Sequence, residues 1–291
     1  MRRFLCKLKT NILSKKRVNV DLVGFIIPLT LIVIWCFVTL HGRIPSYILP
    51  NPLKLGQIII DFAFGIWNLT PYSGKLFENL TASIIRVLCG FGLATFLGLA
   101  LGFLSGRIYF IRRLSDPFIH AIRAIPGIGW LPLAIVWFGV GEETTLFLIT
   151  LAAFFPIYTN TAFSASQVSP LFLRAGRMLG ANKITLFSTI ILPATFPSII
   201  VGLRLGLGIS WAYLVLGELT GVTKGLGAVM MDSRMLGHVE MIITAMVFIA
   251  ILGRITDIIL VKICNLIYPS KEGAGGTSDT GYLRLGTPAR S

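Results

Sequence analysis

Nineteen consecutive residues, 22–40, carry no charge, and apolar runs of similar length recur down the chain. A helix rises about 1.5 Å per residue, so about 20 such residues cross the hydrocarbon core of a bilayer. Inside that core no water is available to the backbone, and a helix satisfies its own polar groups. The composition agrees. Of 291 residues 55% are hydrophobic and 13% charged, with a mean hydropathy of +0.82. A soluble domain must cover its surface with polar side chains and rarely approaches those values. The chain reads as an all-α integral membrane protein.

Six spans are expected: 22–40, 84–104, 119–140, 144–163, 199–216 and 241–264. Residues 1–21 hold seven basic side chains and form a cytoplasmic N-terminal segment. Residues 22–268 form the membrane domain. Residues 269–291, rich in Gly, Ser, Thr and Pro, read as a disordered cytoplasmic tail. The 22–40 run is longer than a usual signal core, and no small-x-small cleavage site follows it. The segment 41–83 begins with Leu49-Pro50-Asn51-Pro52 and continues as an amphipathic helix over 53–67. In the second span Gly90, Ala94, Gly98, Gly102 and Gly106 recur every fourth residue on one face, which lets another backbone approach closely. The third run contains Arg123, Pro126, Gly127, Gly129 and Pro132, a pattern that predicts a broken or kinked span. Irregular backbone at membrane depth is tolerated where it is buried in protein or lines a watery path. In the fifth span Gly202, Gly206 and Ser210 repeat the spacing of four.

The formal net charge is +14, from 26 Lys and Arg against 12 Asp and Glu. Basic residues cluster in 1–21, in 107–113 and at Arg174, Arg177 and Lys183. Segment 41–83 has only Arg43, Lys54 and Lys75. Cytoplasmic loops collect Lys and Arg, so both termini are expected inside. Once the spans are removed no basic face remains for nucleic acid. Cys6, Cys36, Cys89 and Cys264 lack the spacing of a metal site or disulfide framework, and His41, His120 and His238 are scattered. The N-L-T sequons at Asn68 and Asn79 have no secretory context to act in.

Between the fourth and fifth runs lies a polar stretch, 174–198, within a loop spanning 170–198. Its sequence predicts two short helices, 171–179 and 184–191, turning at Gly180. Pro193 and Pro197 precede the next span. A folded helix–turn–helix on a membrane face usually exists to touch another protein.

Arg174-Ala175-Gly176, then Gly180, then Ile191-Leu192-Pro193 resembles the EAA loop of ABC importer permeases. Leu49-Pro50-Asn51-Pro52, Arg86-Val87-Leu88, Trp137-Phe138-Gly139-Val140-Gly141-Glu142 and Phe154-Phe155-Pro156-Ile157 look like the nitrate, sulfonate, taurine and bicarbonate branch. Two positions depart from the pattern. Arg174 stands where the family has Glu, and Gly176 where it has a second Ala. The resemblance implies a type I importer fold in the bacterial inner membrane. It also implies ATP and Mg on separate ABC ATPase subunits, an external substrate-binding protein and a second permease copy. The coupling residues it implies are Arg174, Ala175, Gly176, Arg177, Gly180, Ala181, Lys183, Leu192 and Pro193.

No P-loop motif occurs, so this chain is not expected to bind ATP through one or to hold another cofactor. A membrane enzyme would need convergent catalytic residues, and no such motif is found. An ion-driven secondary carrier would show internal repeats. The candidate pathway residues are Arg123, Pro126, Trp130, Arg204 and Glu218, because charge and irregular backbone inside spans mark water-facing or paired sites.

Overall fold

The computed structural model describes residues 26–40 and 48–267. The basic segment 1–21 and the tail 269–291 lie outside them. The described residues are helical and contain no strand. They fall into two compact units that divide between Gln57 and Ile58.

In the first unit, helix α1 (Ile26–Leu40) is the described part of the first apolar run. Its hydroxyls bond back to its own carbonyls: Thr30 Oγ1 donates to Ile26 O at 2.8 Å and Thr39 Oγ1 to Trp35 O at 2.8 Å. That is how a polar side chain is satisfied on a helix without water. Helix α2 (Pro52–Phe64) starts where the prolines set it. Asn51 Oδ1 accepts from Leu53 N at 3.0 Å, and Pro52 takes the first position, where no amide is needed.

The second unit begins within α2. Asp61 is fully buried and organises the turn that follows. Its carboxylate accepts from the amides of Trp67, Asn68 and Leu69 at 2.7, 3.0 and 2.9 Å, and from Ser73 Oγ. Burial alone would raise this carboxyl, but the four hydrogen bonds outweigh it and hold the group below the ordinary value.

Helix α3 (Leu76–Arg107) starts two turns before the predicted span. Its 32 residues reach ~48 Å, more than a hydrocarbon core of ~30 Å. Helix α4 (Tyr109–Ala124) ends at Ile125 and Pro126, a 3₁₀ turn covers Gly127–Trp130, and α5 (Leu131–Phe138) leaves at 90°. Ile125 is extended at ψ 120° because a residue before proline avoids the helical region. The kink read from the sequence is thus a right-angled break.

Helix α6 (Glu142–Gln167) is the centre of the bundle. Helix α3 packs on one side of it and α9 (Leu192–Glu218) on the other. The small-residue stripes make both approaches. A Cβ on Gly98 would lie 2.9 Å from Ile157 Cγ2, and one on Gly206 would lie 3.0 Å from Ile157 Cγ1. Ile157 therefore sits between two glycines on two helices. Larger residues at either position would force the helices apart.

Helix α7 (Pro170–Met178) and the one-turn α8 (Lys183–Leu186) form the loop hairpin. The second short helix is not separate. A π-helical turn over Phe187–Ile191 carries it into α9, giving a continuous rod, Lys183–Glu218, of 36 residues. Leu192 N donates to Phe187 O, a five-residue step, so the ladder has already shifted where Pro193 contributes no amide. Helices α10 (Leu226–Leu236) and α11 (Val239–Ile267) complete the unit. By length and apolarity α3, α6, the Lys183–Glu218 rod and α11 can cross a membrane, and the bent α4–α5 pair has the form of either a broken fifth span or a re-entrant loop.

Candidate functional site

Three features stand out, and the first is the hairpin. Ser169 Oγ caps α7 by accepting from Leu171 N at 3.3 Å, and Asn182 Oδ1 caps α8 by accepting from Thr185 N at 2.8 Å. Between them Gly180 has φ +83°. Gly180 N donates to Arg177 O and Ala181 N to Gly176 O, both at 3.0 Å. This is the paired pattern by which a left-handed residue closes a helix. Gly176 is where the two short helices touch: a Cβ there would meet Leu186 Cδ2 at 2.6 Å and Ile190 Cδ1 at 2.8 Å. The hairpin is anchored to the bundle through Leu173, Val168 and Ile191, and Phe103 of α3 meets Phe187 edge-on at 5.0 Å. Its outer face is uncovered: Met178, Leu179 and Ile184 are 89%, 88% and 79% exposed. Arg174, Arg177 and Lys183 are exposed beside them, and Arg174 has no ion pair among the described residues. Ala175 is exposed, Ala181, Leu192 and Pro193 half-buried.

The second feature is a cavity of about 420 Å³ at the α4–α5 break. Arg123, Pro126 and Trp130 line it together, with Tyr213 of α9 and an apolar wall from α6. Gly127 allows this, because a Cβ there would collide with the Tyr213 ring and hydroxyl.

The third feature collects the other end of α3. Arg86 is 3% exposed and Glu218 0%. Arg86 Nη1 donates to Glu218 Oε1 and to Lys224 O, both at 2.6 Å, and its Nε and Nη2 grip Glu142 at 2.9 and 2.5 Å. Ser83 Oγ and Gly227 N donate to the Glu218 carboxylate, each at 2.7 Å. Gly225 N donates to Asn79 Oδ1 and Leu226 N to Ser83 Oγ, each at 2.9 Å. The cluster ties α3, α6, α9 and the start of α10 into one joint, about 26 Å along α3 from Phe103.

Of the five candidate pathway residues the structure thus brings three together at the break. Glu218 lies in the buried joint. Arg204 lies on the outer part of α9 and makes a two-pronged pair with Asp257 of α11 at 2.8 and 3.0 Å. Sequence reasoning missed Arg86 and Glu142 as partners and Tyr213 as a lining residue. A lone Arg in an apolar run is itself a signal, since a charge at that depth must be paired.

A bundle of membrane-crossing helices with a capped hairpin growing into one of its spans is the architecture of a transport permease. The chain belongs to the binding-protein-dependent transport system inner membrane component family, whose model matches residues 94–268. It is 35% identical over 234 residues to the putative aliphatic sulfonates transport permease protein SsuC of Bacillus subtilis (strain 168), covering 80% of this chain and 82% of that one. It is 30% identical to the taurine transport system permease protein TauC of Escherichia coli (strain K12), covering 78% and 82%. It is 33% identical to the nitrate import permease protein NrtB of Synechocystis, covering 67% and 70%. In fold it is similar to a chain of the MetNI methionine ABC transporter in an inward-facing conformation, with a TM-score of 0.56 and 19% identity, covering 66% of this chain and 95% of that one. The chain is a permease subunit of an ABC importer with the type I fold.

Proposed function

We propose that this permease serves an importer for a small anion of the sulfonate, taurine, nitrate or bicarbonate type, and that the loop 170–198 docks on its ATPase subunit. ATP and Mg bind on that subunit. A substrate-binding protein delivers the anion from outside, and a second copy of this chain completes the path. Both termini and the hairpin face the cytoplasm of a bacterial inner membrane, and the apolar helices face lipid.

The observation that carries this reading is the hairpin itself. It has two capped ends, a left-handed glycine between them, and an uncovered apolar and basic face continuous with a 36-residue span. A push on α8 is passed to the span, because the helix runs from Lys183 to Glu218 without a break. With Arg174 in place of the usual Glu, the hairpin offers a basic surface. The matching groove on this chain's ATPase should carry acidic side chains.

The test is recovery of the ATPase with an affinity-tagged permease. A Cβ on Gly180 meets nothing within 4 Å, so a substitution there acts through the backbone alone. A β-branched residue at φ +83° costs about 1–2 kcal/mol, whereas Asn visits that region more readily. Gly180→Val should insert in the membrane but lose most of the ATPase, and Gly180→Asn should retain it. Full recovery with Gly180→Val would remove the hairpin from the interface.

A further inference from the structure

We propose that the turn between α2 and α3 is an anchor in the membrane interface, presenting Phe64, Ile66, Trp67 and Leu69 as a rigid apolar tip to the lipid of the outer leaflet. The proposal rests on the permease reading only for which leaflet that is.

Residues 62–74 carry no charged side chain. Among them Phe64, Ile66, Trp67 and Leu69 are each 49–72% exposed. A flexible loop could fold such side chains under itself. This one is held open, because it is closed on Asp61. The Asp61 carboxylate accepts from the amides of Trp67, Asn68 and Leu69, and its main-chain oxygen accepts from Gly65 N at 2.7 Å and Gly74 N at 3.0 Å. Gly65 and Gly74 lie against each other: a Cβ on Gly65 would stand 3.3 Å from the Gly74 Cα, and both backbones are left-handed, at φ +66° and +74°. The loop is a ring pinned where its ends meet. Its apolar side chains are ordered before any contact is made, so a partner gains their burial at little cost in loop entropy. Exposed apolar groups collected in this way mark a protein or membrane contact.

Depth, continuity and chemistry select lipid. Phe62, two residues before the tip begins, is fully buried and meets Phe248 of α11 edge-on, with ring centroids 6.0 Å apart. Phe248 lies within residues 241–253, a charge-free stretch of a helix able to cross a membrane. The turn therefore emerges beside a lipid-crossing segment. On that segment Met246, Val247 and Ile251 are exposed, so the apolar surface of the tip continues that of the span. The turn is at the end of α3 opposite Phe103 and the hairpin, which is the outer end in the permease reading. Trp is favoured at the boundary of a bilayer, where its ring is apolar and its N–H stays wet. A soluble protein partner is steered and registered by charge, and this turn offers none. An anchor here holds the outer start of α3 at a fixed depth while its far end meets the hairpin.

The experiment uses the full chain assembled with its ATPase in phosphatidylcholine nanodiscs. A nitroxide is attached at Ile66→Cys after the four native cysteines are replaced by Ala, and its collisions with oxygen and with a water-soluble nickel chelate are compared. Oxygen collisions should dominate, with a ratio that places the label roughly 5–10 Å into the boundary of headgroups and acyl chains. A second measurement needs no label. Brominated phosphatidylcholine should quench the part of the tryptophan emission that Trp67→Phe removes. A collision ratio typical of water at position 66, or a Trp67 emission untouched by the brominated lipid, would overturn the proposal. Shielding from nickel that appears only when the substrate-binding protein is added would assign the tip to that protein and overturn it as well. Nanodiscs expose both faces, so the result does not depend on which end lies outside. Failure of the anchor therefore shows at positions 66 and 67, whereas failure of the permease reading shows as absence of the ATPase from the same preparation.

Discussion

Arg86 of α3 and Glu218 of α9 meet at 2.6 Å with both side chains buried, although 132 positions separate them in the chain. The pair is held at every atom that matters. Glu218 also accepts from Ser83 and Gly227, and Arg86 also reaches Glu142 and Lys224 O. Removing Arg86 leaves Glu218 buried with no counter-charge, which costs about 3–5 kcal/mol, whereas removing Glu218 leaves Arg86 paired with Glu142. Arg86→Met should therefore lower the thermal midpoint of the detergent-solubilised protein strongly and Glu218→Met less so. The double variant should lose less than the sum of the two, because no charge is stranded. Additive losses would mean that the two side chains act independently.

Gly176 is one of the two departures from the family's loop pattern, and the structure gives it a role. An added methyl would press on the far ends of Leu186 and Ile190, both flexible, so Gly176→Ala should retain ATPase binding. Gly176→Leu should separate α7 from α8 and cost about 1–3 kcal/mol of local packing. The check is hydrogen exchange of the hairpin amides, with faster exchange expected in the Leu variant alone. Equal protection would mean that the two helices do not rest on each other.

Asp61 makes acid stability a measurable property of the turn after α2. Its folded pKa lies below the ordinary value, so the folded state binds that proton less readily than the unfolded state. The stabilisation is fully present above the unfolded value near ~3.9 and is lost as pH falls through the lower folded value. Thermal midpoints followed from pH 7 downward should fall more steeply for wild type than for Asp61→Asn. Parallel curves would show that the carboxylate's hydrogen bonds carry no net preference for the charged form.

Arg204 illustrates the limit of exposed pairs. Its contacts to Asp257 are short, but the guanidinium side chain is 49% exposed. Arg204→Lys should change stability by no more than about 1 kcal/mol, measured by thermal unfolding. A larger loss would indicate that the α9–α11 contact depends on the two-pronged geometry.

Much of this fold can be read from spacing. The residues Gly90, Ala94, Gly98 and Gly102 announce a close helix contact because a period of four holds one face of a helix, and all four are buried. Pro126 with Gly127 announces the break, because the residue before proline leaves the helical region. The continuity of α8 with α9 is hidden, since Pro193 and Pro197 look like punctuation and a π-helical turn has no sequence signature of its own. The partners of Arg86 are hidden for a different reason. Charge pairing at depth is predictable, but which of several carboxylates lies opposite depends on how three helices pack. The cavity falls between these cases: Arg123, Pro126 and Trp130 are close in sequence, whereas Tyr213 arrives from α9 and leaves only Gly127 as a trace.

The coupling role of the hairpin is the centre of this account, and Ile184 reports on it most directly. It is 79% exposed and lies on the one-turn helix that starts the 36-residue rod. A photo-crosslinking residue placed there, in the assembled transporter in native membranes, should give an adduct with the ATPase subunit whose yield changes on adding ATP. Adducts with lipid alone, in a preparation that still transports, would show that the hairpin lies on the membrane and that another surface carries the force.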